Sequence, residues 1–185
     1  MRLVHLSKTE ITQLYNDRMV EDFPPDELKP LDRILDALDK GFYECLGMIE
    51  EKSILGYAFM VKHEKDYLVD YIAICSERRN EGLGGQLLRL FNEYLSEAAS
   101  IIGEVENPEY TEDEELRSLQ SRRIDFYLRN GLRNTGVTVT CFGVPYIILE
   151  MDRKNNHSED EIKELYRMHY KKMLPDKMYR ENVFV

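Results

Sequence analysis

Residues 70–88 read DYIAICSERRNEGLGGQLL, and this stretch decides the fold. Its first five residues are mostly β-branched or aromatic, which is typical of a strand. From Leu83 onward apolar residues recur at helical spacing, as at Leu87, so a helix begins there. Between strand and helix stand Gly82 and Gly84, which lack Cβ atoms and let backbone amides approach an anion at the positive end of the helix dipole. The stretch therefore predicts a strand, an anion-binding turn and a helix.

Two arginines, Arg78 and Arg79, precede the glycines and add charge-assisted donors for an anion. The dinucleotide-binding fingerprint does not fit, because Leu87 stands where that motif needs its third glycine. The P-loop does not fit either, because it requires a lysine followed by Ser or Thr after its second glycine. By itself the turn is more typical of a tight strand-to-helix connection that binds nothing.

The sequence on both sides of this stretch predicts a mixed α/β fold. Ser7 and Glu10 form a capping pair for a first helix, and a second helix ends at Gly41. The remaining predicted elements are strands at 42–49, 54–61 and 67–74, a strand at 101–106, a helix ending at Asn130, and strands at 137–142 and 146–151. The order is β-α-α-β-β-β-α-β-α-β-β, with an antiparallel meander before the glycine-rich turn.

A chain of 185 residues with 43% hydrophobic residues is long and apolar enough for one compact domain. We expect that domain to span residues 1–151. The remaining residues, 152–185, form a charged extension whose apolar positions fall on one helical face, Ile162, Leu165, Tyr166, His169 and Tyr170. Such a helix is expected to pack on the domain or on a second subunit, which would make a homodimer.

The chain carries 35 acidic and 25 basic side chains, a formal net charge of -10. This balance disfavours nucleic acid and anionic membranes as partners. It would attract cationic small molecules or basic peptides, although an acidic surface more often only provides solubility. The chain has no apolar stretch of about 18 residues and no signal-peptide pattern. Its three widely spaced cysteines read as free thiols of a reducing compartment, so a cytoplasmic protein is expected. The four histidines have no metal-like spacing, and no metal is expected.

Three segments together resemble the GNAT acyltransferase superfamily. Arg79-Asn80-Glu81-Gly82-Leu83-Gly84 is similar to its acyl-CoA signature, Arg/Gln-x-x-Gly-x-Gly/Ala. The strand 70–74 stands directly before it, as in the family. The later segment 126–132 is similar to the family's second CoA-contacting segment, Tyr-x-x-x-Gly followed by an apolar residue, with Tyr127 and Gly131. Order, separation and type of element agree from Leu3 to Met151.

The resemblance implies the GNAT fold, an α/β (α+β) fold in which helices flank a mixed, mainly antiparallel sheet of six to seven strands. The sheet splays between strands 67–74 and 101–106, and the pantetheine of acetyl-CoA lies in the splay. The implied CoA-binding residues are Ile72, Ala73, Ile74, Arg79, Asn80, Glu81, Gly82, Leu83, Gly84, Gly85, Asn107 and Tyr127. Glu81 departs from the family pattern, which commonly has a basic or small residue there, and we expect it to reduce the affinity for CoA.

The implied activity is transfer of an acetyl group from acetyl-CoA to a primary amine by direct attack in a ternary complex. Tyr127 matches the family tyrosine beside the sulfur and would protonate the leaving thiolate, although it could also be an ordinary core aromatic. Asp70 and Glu106 are candidate bases, with Glu104 on the same strand face as Glu106. Each carboxylate could instead recognise the acceptor or lie in solvent, and ordered water could serve as the base.

The acceptor is not encoded in any motif, and the acidic groups favour a cationic amine such as a polyamine, an amino sugar or a lysine side chain. A different class of function is a CoA-binding sensor that kept the fold and lost turnover. Such a module could dispense with a leaving-group acid, so the presence of Tyr127 favours the enzyme.

Overall fold

The structure is a computed structural model that describes residues 1–25, 27–51 and 53–185. The described chain divides into two compact units. The first comprises residues 1–62 and 69–97, and the second comprises residues 63–68 and 98–185. One boundary between the two units falls between residues 68 and 69 of the sequence.

The first unit contains the strands β1 (Arg2–His5), β2 (Tyr43–Glu50), β3 (Ser53–His63) and most of β4 (Asp66–Ile74). Their order in the sheet is β1-β2-β3-β4, with β1–β2 and β2–β3 antiparallel. The helices of this unit are α1 (Lys8–Leu14), α2 (Val20–Asp22), α3 (Leu31–Asp39) and α4 (Leu83–Tyr94), and a π-helical turn, Tyr15–Met19, joins α1 to α2. The antiparallel meander predicted before the turn is present.

Local sequence explains where α1 begins. The Ser7 hydroxyl accepts from the backbone N–H of Glu10 at 3.3 Å, and the Glu10 carboxylate accepts from the N–H of Ser7 at 2.7 Å. This reciprocal pair satisfies two amides that the helix itself leaves unbonded. The predicted capping pair is therefore confirmed.

The second unit contains the first three residues of β4 and the strands β5 (Ser100–Glu106), β6 (Leu132–Cys141), β7 (Val144–Met151) and β8 (Val183–Phe184). The last four are ordered β5-β7-β6-β8, with antiparallel neighbours. Its helices are α5 (Glu114–Arg129), α6 (Glu159–Met173) and α7 (Asp176–Asn182). Asp113 caps α5, and Ser158 and Glu161 form a second capping box at α6.

The predicted fold class, a mixed α/β fold with mainly antiparallel strands and flanking helices, is confirmed. The described residues contain eight strands, slightly more than the expected count of about six to seven. The strand expected to begin at Val137 begins at Leu132, because residues 132–134 already pair with β7. The register then shifts between Asn134 and Thr138, around Gly136, where φ is +80°. The additional strand, β8, is two residues long and pairs with the end of β6.

Candidate functional site

The turn between β4 and α4 is built by two residues with positive φ. A short 3₁₀ turn, Ser76–Arg78, follows the strand, and then Asn80 has φ +66° and Gly82 has φ +75°. A Cβ on Gly82 would meet no atom within 4 Å, so glycine is needed there for its backbone conformation and not for space.

Helix α4 starts directly after Gly82, and no side chain caps it. Side chains cap α1, α5 and α6, whereas α2, α3 and α7 also begin without a side-chain cap. The first amides of a helix have no partner within the helix and carry its positive end charge. At α4 they are free to bind an external anion, which is what the sequence predicts for this turn.

Both arginines of the turn are paired with acids. The Arg78 Nε lies 2.9 Å from Glu81 Oε2, and Arg79 binds the buried carboxylate of Asp22. The Arg79 Nε also donates to the Ile74 carbonyl at 3.3 Å. The hydrogen bond from Arg78 holds the pKa of Glu81 below its ordinary value, so Glu81 is ionised and its charge is offset by Arg78. Binding of an anion at this turn therefore depends chiefly on backbone amides.

Strand β4 is held in place by a close approach of β3. Ile72 and Ile74 pack on a buried cluster made of Met48, Leu55, Leu83 and Leu87, which fixes β4 against the start of α4. A Cβ built on Gly56 of β3 would lie 2.9 Å from the Ala73 carbonyl oxygen and 2.7 Å from the Ile74 side chain. Sequence reasoning did not single out Gly56, and an isolated glycine inside a strand was its available signal.

The Asp70 carboxylate does not lie on the face of β4 that the alternation of side chains indicates. The two-residue period groups Asp70 with Ile72 and Ile74. Instead its Oδ1 lies 2.5 Å from Lys29 Nζ, its Oδ2 accepts from the Tyr43 hydroxyl, and its side chain is only 4% exposed. Burial, and next the negative charge of Asp70, raise the pKa of Tyr43 well above its ordinary value, so this tyrosine stays protonated and donates to the carboxylate.

In the second unit, Tyr127 lies on α5 with its ring at 5.4 Å from that of Phe126, edge to face. Burial raises its pKa, and the nearby Arg123 guanidinium opposes that effect to a smaller extent. Tyr127 therefore keeps its proton at neutral pH. Among the described residues its hydroxyl has no hydrogen-bond partner, so it is available to a ligand.

Glu106 is tied to the same helix. Its Oε2 lies 2.5 Å from Arg123 Nη1, and its Oε1 accepts from Gln120 at 3.4 Å. Arg123 and Tyr127 are four residues apart on α5 and share a helix face. Glu106, at the end of β5, therefore binds the helix α5, which carries both Arg123 and Tyr127. Arg123 is not among the site residues predicted from the sequence.

Two further polar residues, Glu104 on β5 and Asn107 directly after it, have hydrogen-bond partners within the second unit. Asn107 is buried, and its Oδ1 accepts from the Glu109 N–H at 3.1 Å, which starts a short 3₁₀ turn. Glu104 accepts from the hydroxyls of Tyr166 and Tyr170 on α6, the latter at 2.8 Å. Glu104 therefore binds the C-terminal extension.

Two searches of the described residues concern metals and membranes. No cluster of three or more His, Cys, Asp or Glu side chains there could hold a metal ion. No helix in that part of the chain is both long and apolar enough to cross a membrane.

Comparison with known proteins places this architecture among solved structures. No family model and no curated protein sequence matches the chain. A GNAT-family protein from Bacteroides thetaiotaomicron superposes with a TM-score of 0.77 at 20% identity, over 94% of this chain and 98% of the other. The ribosomal-protein-S18-alanine N-acetyltransferase of Escherichia coli gives a TM-score of 0.60 at 15% identity, over 84% of this chain and 96% of its own.

A Bacillus subtilis acetyltransferase in complex with CoA gives a TM-score of 0.57 at 16% identity, over 82% of this chain and 98% of the other. All three identities lie well below the level at which a shared activity follows from similarity, so they establish architecture and not substrate. The superpositions cover 82 to 94% of this chain and 96 to 98% of the other chains. The chain therefore has the fold of the GNAT acetyltransferases.

Proposed function

We propose that the protein is an N-acyltransferase that moves an acetyl group from acetyl-CoA to a primary amine. The observation that carries this proposal is the start of α4 directly after the positive-φ Gly82, with no side-chain cap, at the end of the partly buried strand β4. The backbone amides of residues 79–85 would bind the pyrophosphate of CoA. A solved structure of the same fold that holds CoA supports this choice of ligand.

The pantetheine would run back along β4 and bind main-chain groups of Ile72, Ala73 and Ile74, as an added strand does. One of these amides would also polarise the thioester carbonyl. Asn107 would contact pantetheine through its side-chain amide N–H₂, because its Oδ1 already accepts from Glu109.

The reaction needs a neutral amine, which attacks the thioester carbon and forms the C–N bond. The tetrahedral adduct then expels the CoA thiolate, and Tyr127 protonates the sulfur. Burial keeps Tyr127 protonated, and its hydroxyl has no hydrogen-bond partner among the described residues, so it can donate to the leaving thiolate. A carboxylate, Asp70 or Glu106, takes one proton from the incoming ammonium and passes it to solvent. The nitrogen of the adduct loses its second proton as the C–S bond breaks, and this proton passes through solvent to Tyr127, which regains the proton that it gave to the sulfur.

We also place the protein in a reducing compartment such as the cytoplasm. Cys45, Cys75 and Cys141 are all free thiols and all buried. Burial is the largest influence on the Cys45 thiol and raises its pKa, so it is a poor nucleophile and acyl transfer through it is disfavoured.

The decisive experiment is calorimetric titration with acetyl-CoA, followed by assay of thiol release with a panel of primary amines. We expect saturable binding and amine-dependent thiol release. Absence of acetyl-CoA binding would refute the proposal. Binding without release on any amine would instead favour the CoA-binding sensor.

The role of Tyr127 is tested by Tyr127→Phe. We expect kcat to fall by about 10²-fold or more, the usual contribution of a general acid, with little change in acetyl-CoA affinity. Tyr179→Phe is the matched control, because Tyr179 is also a partly buried tyrosine on a helix of the second unit. Equal losses of kcat and affinity in Tyr127→Phe would show that Tyr127 only binds or packs.

A further inference from the structure

The first unit holds one of its own amines against the candidate base. Lys29 follows α2 in the segment that leads to α3, and its Nζ lies 2.5 Å from Asp70 Oδ1. The same Nζ lies 5.3 Å from the centroid of the Tyr71 ring. A carboxylate together with an aromatic face is a typical environment for an ammonium group.

Asp70, Lys29, Tyr43 and Tyr71 form a cluster, and Tyr43 fixes the second oxygen of the Asp70 carboxylate. The Tyr43 hydroxyl donates to Asp70 Oδ2, and both side chains are almost completely buried. Tyr43 and Tyr71 are neutral, since burial raises the pKa of each. Asp70 is therefore the negatively charged member of the cluster, and its Oδ1 is oriented toward an ammonium.

Anchoring the segment does not require the Lys29 side chain. The backbone N–H of Lys29 donates to the Tyr71 hydroxyl at 2.8 Å, and its carbonyl accepts from the Tyr15 hydroxyl at 3.0 Å. The Tyr71 hydroxyl also donates to the Glu27 carbonyl at 2.9 Å. These three bonds use main-chain atoms of the segment and persist whatever side chain stands at position 29. The ion pair is an additional interaction, and the lysine can leave it without releasing the backbone.

The position of the cluster along β4 places it on the side of the thioester end of the proposed cofactor. The proposed pyrophosphate site lies after Ile74, so the pantetheine runs from there toward lower residue numbers. Asp70 is four residues before Ile74, about 13 Å along an extended strand. The thioester end of the cofactor therefore points toward Asp70 and the ammonium that it holds.

We propose that Asp70, Tyr43 and Tyr71 form the ammonium-binding subsite for the acceptor, and that Lys29 occupies it until an acceptor displaces it. The inference rests on the proposed function and specifies its substrate class. The acceptor is a primary aliphatic amine on a linear methylene chain, because a lysine side chain already fits the site. Lys29 is then a built-in competitor that sets the amine concentration needed for turnover.

The test compares Lys29→Met, which keeps an unbranched apolar chain and removes the ammonium, with wild type. The matched control is Lys62→Met, because Lys62 also pairs with an acid in this unit, Glu44 at 2.8 Å, away from Asp70. Thermal unfolding is measured with n-butylammonium chloride and with sodium chloride at equal ionic strength. We expect n-butylammonium to raise the unfolding midpoint of Lys29→Met well beyond its effect on wild type and on Lys62→Met.

A second measurement is the KM for n-butylamine with acetyl-CoA as donor. If Lys29 fills about nine tenths of the sites, its removal lowers KM about tenfold. Adding Asp70→Asn to Lys29→Met should abolish the response to n-butylammonium. Equal responses of all these proteins would overturn the proposal, as would an unchanged or higher KM in Lys29→Met.

These outcomes are separable from failure of the proposed function. The unfolding measurement needs no cofactor, so it reports on the ammonium subsite even if acetyl-CoA does not bind. Lys29→Arg keeps a cation on Asp70 and serves as the folded reference if Lys29→Met is too unstable to purify. With that variant the expected result is a response to n-butylammonium no larger than that of wild type, and a larger response would contradict the competition.

Discussion

Histidine 169 makes the stability of this protein dependent on pH in a range where few other groups titrate. Its side chain on α6 is completely buried, and neither ring nitrogen has a hydrogen-bond partner among the described residues. Burial lowers the pKa of His169 from 6.5 to about 4, and the charges around it act in both directions. Asp66 raises this pKa, whereas His63 and Lys172 lower it.

The sign and size of the effect follow from proton linkage. Because the folded pKa lies below the unfolded one, the unfolded chain binds more protons, and stability falls as pH drops below about 6.5. Each tenfold change in proton affinity is worth about 1.4 kcal/mol, so the full loss below pH 4 is about 3 kcal/mol. At pH 5 about 2 kcal/mol is already lost.

The perturbation is His169→Leu, which removes the ionisable ring and both unpaired nitrogens. The free energy of unfolding is measured by urea titration at pH 7, 6 and 5, and His5→Gln, a change at an exposed histidine, is the control. We expect wild type and His5→Gln to lose about 2 kcal/mol more than His169→Leu between pH 7 and 5. Parallel losses in all three proteins would refute the assignment of His169 as a buried neutral side chain.

Two glycine substitutions test the CoA-binding turn and the strand that leads to it. Gly82→Ala should cost about 1 to 2 kcal/mol of stability because φ is positive, and Gly143→Ala, with φ +82° and equally open space, should cost the same. Only Gly82→Ala should also weaken acetyl-CoA binding in calorimetry, and equal affinities in the two variants would count against the turn as the site. Gly56→Ala forces a Cβ against the backbone oxygen of Ala73 and should lower both stability and acetyl-CoA affinity. Gly47→Ala, whose Cβ meets only the flexible end of Leu6, is the milder control, and a smaller effect at Gly56 than at Gly47 would contradict the argument.

The parts of the fold that depend on local sequence could be predicted. The capping pair of Ser7 and Glu10, the meander before the turn and the helix after Gly82 each follow from residues within one or two turns of one another. The strand β8 could not be predicted in this way. It is two residues long, and it exists because Val183 and Phe184 pair with Cys141 and Thr140, about 40 positions away.

The candidate site shows the same division. The turn from Arg79 to Gly84 is a local pattern, so the connection between strand and helix could be predicted from the sequence. The partner of Arg79 is Asp22, 57 positions earlier, and the partner of Asp70 is Lys29, 41 positions earlier. Such pairs are set by how the chain returns on itself, which the spacing of residues does not encode. Sequence alone therefore overestimated the free positive charge at the turn.

The Lys29 ion pair also changes how the candidate base should be understood. From the sequence, Asp70 is either a general base or a charge that recognises the acceptor, and these roles stand as alternatives. A carboxylate that accepts a hydrogen bond from an ammonium is already within reach of the proton that the amine must lose before it attacks. Since Tyr43 occupies Oδ2, the Oδ1 atom that holds Lys29 would perform both tasks. Recognition and deprotonation of the acceptor would then be successive states of one contact.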